Sequence, residues 1–321
     1  MSDQTSSHDA LARASRMLRS ALGEDVRRWL AQDDIVEVML NPDGRLWVDR
    51  LGEGLIDTGQ SLTPSEGERI IRLVAHHVGA EAHAGKPRVS AELPDAGERF
   101  EGLLPPVVAA PTFAIRKPAI RAVTLSAYVE QGVMSPRQAE ALAAAMAWRR
   151  NILVAGATAS GKTTLANALL AELADTHERV VVLEDTVELR CPAANTVALR
   201  SKDGVASLTE LLRSTLRLRP DRIIVGEVRG PEALDLIKAW GTGHPGGVAT
   251  VHAGSPLGAL RRLEQLIAEA AVSPPRDLIA ETVETIAVLT GRGPTRRLSH
   301  LVAVEGLTAG EYRFTPIGDV P

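Results

Sequence analysis

The chain has 321 residues, of which 45% are hydrophobic and 24% are charged, and its formal net charge is -4. This composition is that of a soluble globular protein and argues against disordered, collagen-like and coiled-coil classes. The length suits two domains of ordinary size. Aromatic residues make up only 3% of the chain, which disfavours the stacking of single-stranded bases. The 36 basic and 40 acidic residues give no overall attraction to nucleic acid, so we expect no direct sequence-specific nucleic-acid binding.

Cysteine content and hydropathy bear on the compartment. Cys191 is the single cysteine, which excludes an intrachain disulfide and a cysteine-cluster zinc site and is typical of a reducing compartment. No stretch approaches the roughly 18 uninterrupted apolar residues of a membrane span, and Met1–Ala10 is polar without a signal-peptide core. The sequence therefore predicts a cytoplasmic protein.

The first part of the chain has the pattern of a small α+β domain, which we place at residues 1–116. A polar tail leads into an amphipathic helix at about Ala10–Leu30, and turn residues at Asn41–Gly44 join two strand-like runs into a predicted hairpin. Thr63 offers an N-cap, followed by proline and by glutamate at the third helical position, which predicts a helix over Pro64–Val78. Three further strands are predicted at Arg88–Glu92, Arg99–Leu103 and Thr112–Arg116.

The sequence pattern changes after this domain. Periodicity is lost over residues 117–136, where we predict an interdomain linker. Residues 137–321 then alternate short apolar strands with helices, which predicts an α/β domain with a mostly parallel sheet and helices on both faces. The strands are predicted at Asn151–Ala155, Val180–Leu183, Asn195–Leu199, Ile223–Val225 and Val248–Val251, and the helices at Leu165–Leu173, Leu208–Leu218, Glu232–Trp240 and Leu257–Ala270.

Residues 156–163 read Gly-Ala-Thr-Ala-Ser-Gly-Lys-Thr and fit the phosphate-loop pattern at every specified position. The motif follows a predicted strand and opens a predicted helix, which is the structural context that a phosphate loop requires. In such a loop, backbone N–H groups hold the phosphates of ATP, Lys162 reaches the β and γ phosphates, and the hydroxyl of Thr163 ligates Mg²⁺. The predicted nucleotide-binding residues are Gly156, Ala157, Thr158, Ala159, Ser160, Gly161, Lys162, Thr163 and Thr164.

Two glutamates end predicted strands near this loop. Glu227 follows a buried strand, where phosphate-loop enzymes place a carboxylate that holds the metal or its water. Glu184 ends another strand at the same carboxyl edge of the sheet and is a candidate to polarise the attacking water. The alternative is that both acids simply face solvent at strand ends.

A glycine-dense segment, residues 241–247, leads into a strand that ends at His252. Glycine loses more conformational entropy on folding than any other residue. A glycine-dense segment therefore indicates that close backbone approach or movement is required there. His252 is a candidate γ-phosphate sensor, although a strand-end histidine is more often hydrogen-bonded packing. Five arginines surround Glu227 in the sequence and offer positive charge for a phosphoryl group, while several are expected to form structural ion pairs: Arg213, Arg217, Arg219, Arg222 and Arg229.

These motifs together resemble a known family. The phosphate loop, Val182–Glu188, Gly226–Ala233 and Gly241–His252 occur in the order found in the secretion ATPases of type II and type IV systems. Within that superfamily, the Trb-type conjugal-transfer ATPases are the group that three segments resemble most closely: Arg99–Pro106, Ile115–Pro118 and Gly241–Ser255.

The resemblance, which covers about residues 35–301, implies a RecA-like motor domain, a smaller N-terminal domain that moves over it, and a homo-oligomeric, hexameric ring. It implies Mg²⁺-dependent ATP hydrolysis that works on inner-membrane components of a transfer apparatus, at the cytoplasmic face of the inner membrane. It also implies that Arg99 or Arg116 reaches the phosphates as an arginine finger, whereas the residues alone favour a surface ion pair.

One position departs from the family pattern. Phosphate loops of the family usually carry glycine where this chain has Ala159, and often where it has Ala157. If residue 159 adopts a positive φ, alanine is about 1 to 2 kcal/mol less favourable there than glycine.

The predicted function is therefore an ATPase that powers type IV secretion or conjugal transfer. A pilus-assembly, pilus-retraction or type II secretion ATPase is the alternative within the class. Many assembly ATPases carry a four-cysteine zinc module, which Cys191 alone cannot supply, but retraction ATPases lack that module too. A DNA-translocating motor is a further alternative, and it would require a basic groove that the net charge does not indicate.

Overall fold

The computed structural model describes residues 17–18, 20–51, 53–93, 97–118, 123–202, 204–270 and 273–318. The chain divides into two compact units, Met1–Ile120 and Arg121–Pro321.

The N-terminal unit is an antiparallel six-stranded sheet with helices, as the α+β prediction required. The strands are ordered β3-β2-β1-β6-β5-β4. Residues 20–31 form helix α1, and the predicted start of that helix lies outside the described residues. The other elements are β1 (Ile35–Leu40), β2 (Arg45–Arg50), β3 (Gly54–Ser61), α2 (Pro64–His77), β4 (Arg88–Glu92), β5 (Arg99–Leu103) and β6 (Thr112–Arg116).

Helix α2 shows how the sequence sets this local structure. The Thr63 side chain accepts from the backbone N–H of Glu66, and the Glu66 carboxylate accepts from the backbone N–H of Thr63 at 2.7 Å. This capping box satisfies donors that the first turn leaves unpaired. Ile70, Ile71 and Val74 lie on one face of the helix and are buried in the core of the unit.

The C-terminal unit contains an eight-stranded sheet ordered β14-β13-β12-β7-β11-β10-β8-β9. The six strands from β12 to β9 are parallel, and β13 and β14 add an antiparallel hairpin at one end. The elements are α3 (Leu125–Glu130), α4 (Pro136–Ala147), β7 (Ile152–Gly156), α5 (Lys162–Ala171), β8 (Arg179–Glu184), β9 (Asn195–Arg200), α6 (Leu208–Thr215), β10 (Arg222–Val225), α7 (Glu232–Gly241), β11 (Val248–Val251), α8 (Pro256–Ala268), α9 (Arg276–Thr282), β12 (Thr285–Thr290), a short 3₁₀ turn (Gly293–Thr295), β13 (Arg297–Thr308) and β14 (Glu311–Pro316).

Both faces of this sheet are covered. Along β7, Leu153 and Ala155 pack into one hydrophobic cluster, while Ile152 and Val154 pack into another. Successive side chains of a strand point to opposite faces, so the two clusters lie on the two sides of the sheet. The near-continuous apolar strands seen in the sequence are those of a parallel sheet buried on both faces.

The predicted linker, residues 117–136, is too long at its C-terminal end. Helix α3 begins after the N-cap Thr124, whose side chain accepts from the backbone N–H of Ala127. Leu125 and Tyr128 are buried in a core cluster of the C-terminal unit. Six helical residues are too few to show a 3.6-residue periodicity, which is why the sequence pattern missed them.

No helix within the described ranges is long and apolar enough to cross a membrane.

Candidate active site

The phosphate loop connects β7 to α5 at the carboxyl edge of the parallel sheet. Gly161 is the N-cap of α5, with φ of 96°, and no side chain caps the helix there. The first backbone N–H groups of α5 therefore keep their hydrogen-bonding capacity, and the helix dipole adds positive potential at the same point. A helix start of this kind binds phosphate groups.

The loop is tightly folded on itself. A Cβ atom at Gly156 would lie 2.3 Å from Ser160 Oγ and 2.8 Å from the carbonyl oxygen of Leu289, so no larger residue fits without movement. Ala159 has φ of 63°, in the left-handed region where glycine is favoured. The departure noted in the sequence therefore falls at a position where alanine is strained.

Lys162, the invariant lysine of the motif, is buried at the mouth of the loop. Its ammonium donates to the Ala157 carbonyl oxygen and contacts Nδ1 of His252, both at 3.3 Å. Because an ammonium can only donate, Nδ1 of His252 is the acceptor and the ring proton resides on Nε2.

His252 lies between Lys162 and Glu227 and contacts both. His252 Nε2 lies 2.5 Å from Glu227 Oε1, although the two atoms are not aligned for a hydrogen bond. Burial lowers the pKa of His252 and the Lys162 charge lowers it further, against the opposing carboxylate of Glu227. The imidazole is therefore neutral at pH 7.

Glu227 is ionised in this arrangement. Burial alone would raise its pKa, but the hydrogen bond and charge of Arg229, together with the Lys162 charge, outweigh burial and lower the pKa. Arg229 Nη2 pairs with Glu227 Oε2. Nothing in the sequence pattern distinguishes Arg229, among the five neighbouring arginines, as the one that contacts Glu227.

Glu184 lies beside the end of β10 and is 6% exposed. Its Oε1 accepts from the backbone N–H groups of Glu188 at 2.9 Å and Leu189 at 2.8 Å. A Cβ at Gly226 would lie 3.0 Å from Glu184 Cγ, so the glycine makes room for this side chain. Burial raises the pKa of Glu184 although the two backbone donors oppose it, and a raised pKa suits a proton acceptor.

The chain is similar to proteins of one family over most of its length. Residues 87–292 match the family described as "Type II/IV secretion system protein". The conjugal transfer protein TrbB of Rhizobium radiobacter is 47% identical over 312 residues, which cover 97% of this chain and 95% of that protein. This chain belongs to the type II/IV secretion system protein family. The type IV secretion system protein PtlH of Bordetella pertussis is 35% identical over 320 residues, covering 88% of this chain and 94% of that protein.

The fold comparison agrees with this family assignment. The ATPase DotB of Legionella pneumophila superposes with a TM-score of 0.61, covering 85% of this chain and 78% of that chain, at 19% identity. The superposition supports the RecA-like fold alone. With its complete phosphate loop on this fold, the secretion-family protein is an ATPase, as the sequence predicted.

The predicted crowd of arginines around Glu227 is wrong for all members but Arg229. Arg222 is buried at the opposite, amino edge of the sheet, where it pairs with Glu178 and donates to the Met146 carbonyl oxygen at 2.9 Å. Strand β10 separates Arg222 from Glu227 by its whole length. Arg213 pairs with Asp235, as expected of a structural ion pair, and Arg217 and Arg219 are exposed.

Arg99 and Arg116 belong to the N-terminal unit and lie directly opposite each other on β5 and β6. Carboxylates flank the pair on the neighbouring strands, with Glu92 opposite Arg99 and Glu37 opposite Arg116. Together with Asp49, which is opposite Glu37 on β2, these residues form a row that we call the charge ladder. The sequence pattern missed it because its members are far apart in the chain.

The residues at the loop suit a magnesium ion shared with a nucleotide. The described part of the chain holds no group of three or more His, Cys, Asp or Glu side chains able to bind a metal. Mg²⁺ usually needs only one or two protein oxygens beside substrate phosphates. The Thr163 hydroxyl and the Glu227 carboxylate are oxygen ligands of that kind, and Glu227 Oε1 accepts no hydrogen bond from the described residues.

Proposed function

We propose that this protein hydrolyses ATP with Mg²⁺ to power a conjugal transfer or type IV secretion apparatus. The observation that carries the catalytic part is the chain of contacts from Lys162 through His252 to Glu227, beside a complete phosphate loop. The transfer role is supported by the 47% identity, over nearly the whole chain, to a protein named for conjugal transfer.

In this proposal, each residue of the site has a separate task. The backbone of Gly156–Thr164 holds the phosphates, and Lys162 moves from His252 toward the β and γ phosphates. Thr163 and Glu227 would hold Mg²⁺, which when bound neutralises charge on the β and γ phosphates. Glu184 accepts a hydrogen bond from the attacking water and so orients that water. His252 senses the γ-phosphate through its contacts with Lys162 and Glu227.

The proposal extends to assembly and motion. The N-terminal domain, residues 1–116, moves over the ATPase domain, which includes α3 and lies within Arg121–Pro321, and brings Arg99 or Arg116 to the phosphates. The working form is a homo-oligomer, a hexameric ring, that docks on inner-membrane components at the cytoplasmic face. Support for this part comes from the family to which the chain belongs.

Substitutions at Lys162, Glu227 and Glu184 test the catalytic part. Lys162→Ala removes the charge aimed at the phosphates and should abolish phosphate release, whereas Lys238→Ala, at an exposed lysine on α7, should leave it unchanged. Glu227→Gln and Glu184→Gln should retain ATP binding but lower hydrolysis at least about 100-fold, because only the charge is lost. Near-wild-type turnover of Lys162→Ala in a steady-state phosphate-release assay contradicts the assignment of the loop.

The transfer role needs a separate test in the host. A strain lacking this protein should regain plasmid transfer when the wild-type chain is supplied, and should not regain it with Lys162→Ala. Full transfer by the Lys162→Ala strain would show that ATP hydrolysis by this protein does not drive transfer.

A further inference from the structure

The guanidinium group of Arg296 lies against the phosphate loop. A Cβ atom at Gly161 would be 3.0 Å from Arg296 Cζ, 3.0 Å from Nε and 3.3 Å from Nη1. These similar distances place Gly161 over the plane of the guanidinium. The glycine therefore serves two purposes, since it adopts a positive φ and leaves room for this side chain.

The turn that carries Arg296 is held in place. Arg296 follows the 3₁₀ turn between β12 and β13, and its backbone N–H donates to the Gly293 carbonyl oxygen. Two residues later, the backbone N–H of Leu298 donates to the Val133 carbonyl oxygen at 2.7 Å, which ties the start of β13 to the segment after α3. Tyr128 of α3 is near enough for the Arg296 charge to act on it, although burial dominates and raises the pKa of Tyr128 to about 12.

One donor of the Arg296 side chain, the Nε–H group, has no acceptor within the described chain. The Nε atom is buried. Buried donors in native proteins are nearly always paired, so an unpaired one beside a binding loop indicates a missing acceptor. Guanidinium groups favour phosphate oxygens and also stack on the faces of aromatic rings.

The position of Arg296 identifies the end of the nucleotide that it faces. Strand β7, which leads into the loop, has β11 on one side and β12 on the other. His252 follows β11 and Glu227 follows β10, so the groups aimed at the γ-phosphate lie on the β11 side. Arg296 lies on the β12 side. A nucleotide that extends across the loop from its γ-phosphate therefore points its nucleoside end toward Arg296.

We propose that Arg296 binds the nucleoside end of the nucleotide, through its α-phosphate and base, and so fixes the orientation of ATP on the loop. This proposal rests on the proposed binding of ATP at the phosphate loop. The contact is independent of the γ-phosphate, so it serves ATP and ADP equally.

Binding of three ligands to the full-length chain tests this proposal. Titration calorimetry should show that Arg296→Ala weakens ATP and ADP by the same factor, about 10-fold or more, since a hydrogen bond to a charged group is lost. Pyrophosphate, which occupies only the inner phosphate positions, should bind as tightly as to the wild type. Arg296→Lys keeps the charge but not the planar fork, and should recover part of the lost affinity. Arg297→Ala, the exposed neighbour, should bind all three ligands normally.

Several results would overturn it. Unchanged or tighter ATP binding to Arg296→Ala would show that the arginine does not bind the nucleotide, or blocks it. A loss confined to ATP would place Arg296 at the γ-phosphate. An equal loss of pyrophosphate binding, with a lower melting temperature, would mean that it only supports the loop. If the wild type itself does not bind ATP and behaves like Lys162→Ala, the proposed function fails first.

Discussion

Ala159 shows how one side chain affects the energetics of the phosphate loop. Its φ of 63° is costly for alanine by about 1 to 2 kcal/mol relative to glycine. If the free loop leaves this conformation part of the time and ATP binding restores it, Ala159→Gly should tighten ATP binding by up to about tenfold. Calorimetric dissociation constants for ATP provide the measurement.

Ala157 supplies the matched control, because it lies in the same loop, also stands where family loops often have glycine, and has no positive φ. Ala157→Gly should therefore give no gain. Equal affinity of Ala159→Gly and the wild type would show that residue 159 keeps this φ with and without ATP, so that relieving the strain stabilises both states alike.

The charge ladder gives Arg116 a local environment that bears on its predicted role. Two arginines directly opposite each other repel, and the carboxylates opposite them on the neighbouring strands, Glu92 and Glu37, act against this repulsion. Burial raises the pKa of Glu37 even though the Arg116 charge opposes it. In the proposed function, domain closure brings Arg116 or Arg99 to the phosphates. Arg116→Ala should therefore lower the ATPase rate far more than the melting temperature.

Arg88→Ala is the control for this experiment, since Arg88 is exposed on neighbouring β4 and pairs with Glu101. It should change neither quantity appreciably, as expected for a surface ion pair. A large drop in the melting temperature of Arg116→Ala, with normal turnover per folded molecule, would make the arginine a structural element of the sheet.

At the scale of helices and strands, elements with strong local signals were predictable. The βαβ unit around the phosphate loop and the capping box of α2 both follow from short-range patterns, and both are confirmed. Several elements were not predicted, including the six-residue helix α3 and the antiparallel strands β13 and β14: α3, α4, α9, β3, β12, β13 and β14. A short helix lacks periodicity, and β13, with 12 residues of mixed exposure, has no clean alternation.

Among the site residues too, those with a strong local sequence signal were predictable and those positioned by tertiary packing were not. The loop and the strand-end acids were predictable because a parallel sheet brings the carboxyl ends of its strands to one edge. The arginines were misplaced because closeness in sequence is not closeness in space across a strand: the four residues of β10 span about 13 Å. Arg296 was missed because only the tertiary packing of the β12–β13 turn brings it to Gly161.

At the scale of the whole molecule, the two units have separate cores, one within residues 1–120 and two within residues 121–321. Unfolding should therefore occur in two calorimetric transitions. The phosphate loop lies wholly in the C-terminal unit, so a nonhydrolysable ATP analogue should raise that transition by mass action. If the N-terminal arginines also bind the nucleotide, both transitions should rise.

The Arg116→Ala variant tests whether a rise of the N-terminal transition comes from this arginine. Arg116→Ala should remove the rise of the N-terminal transition and keep that of the C-terminal one. If the analogue never moves the N-terminal transition in the wild type, the proposed closure of that domain on the nucleotide is contradicted.

The position of β14 at the end of the eight-stranded sheet has a consequence for aggregation. Edge strands expose unpaired backbone groups, and β14 is short, carries Glu311 and Arg313, and ends in Pro316, all of which discourage pairing with another chain. It also covers β13, the longest strand of the sheet. Removing residues from Glu311 onward would expose β13 as a long, bare edge and break the hydrogen bond from Tyr312 to Glu264. A truncated chain should therefore aggregate on concentration, as static light scattering would show, while the full chain should not.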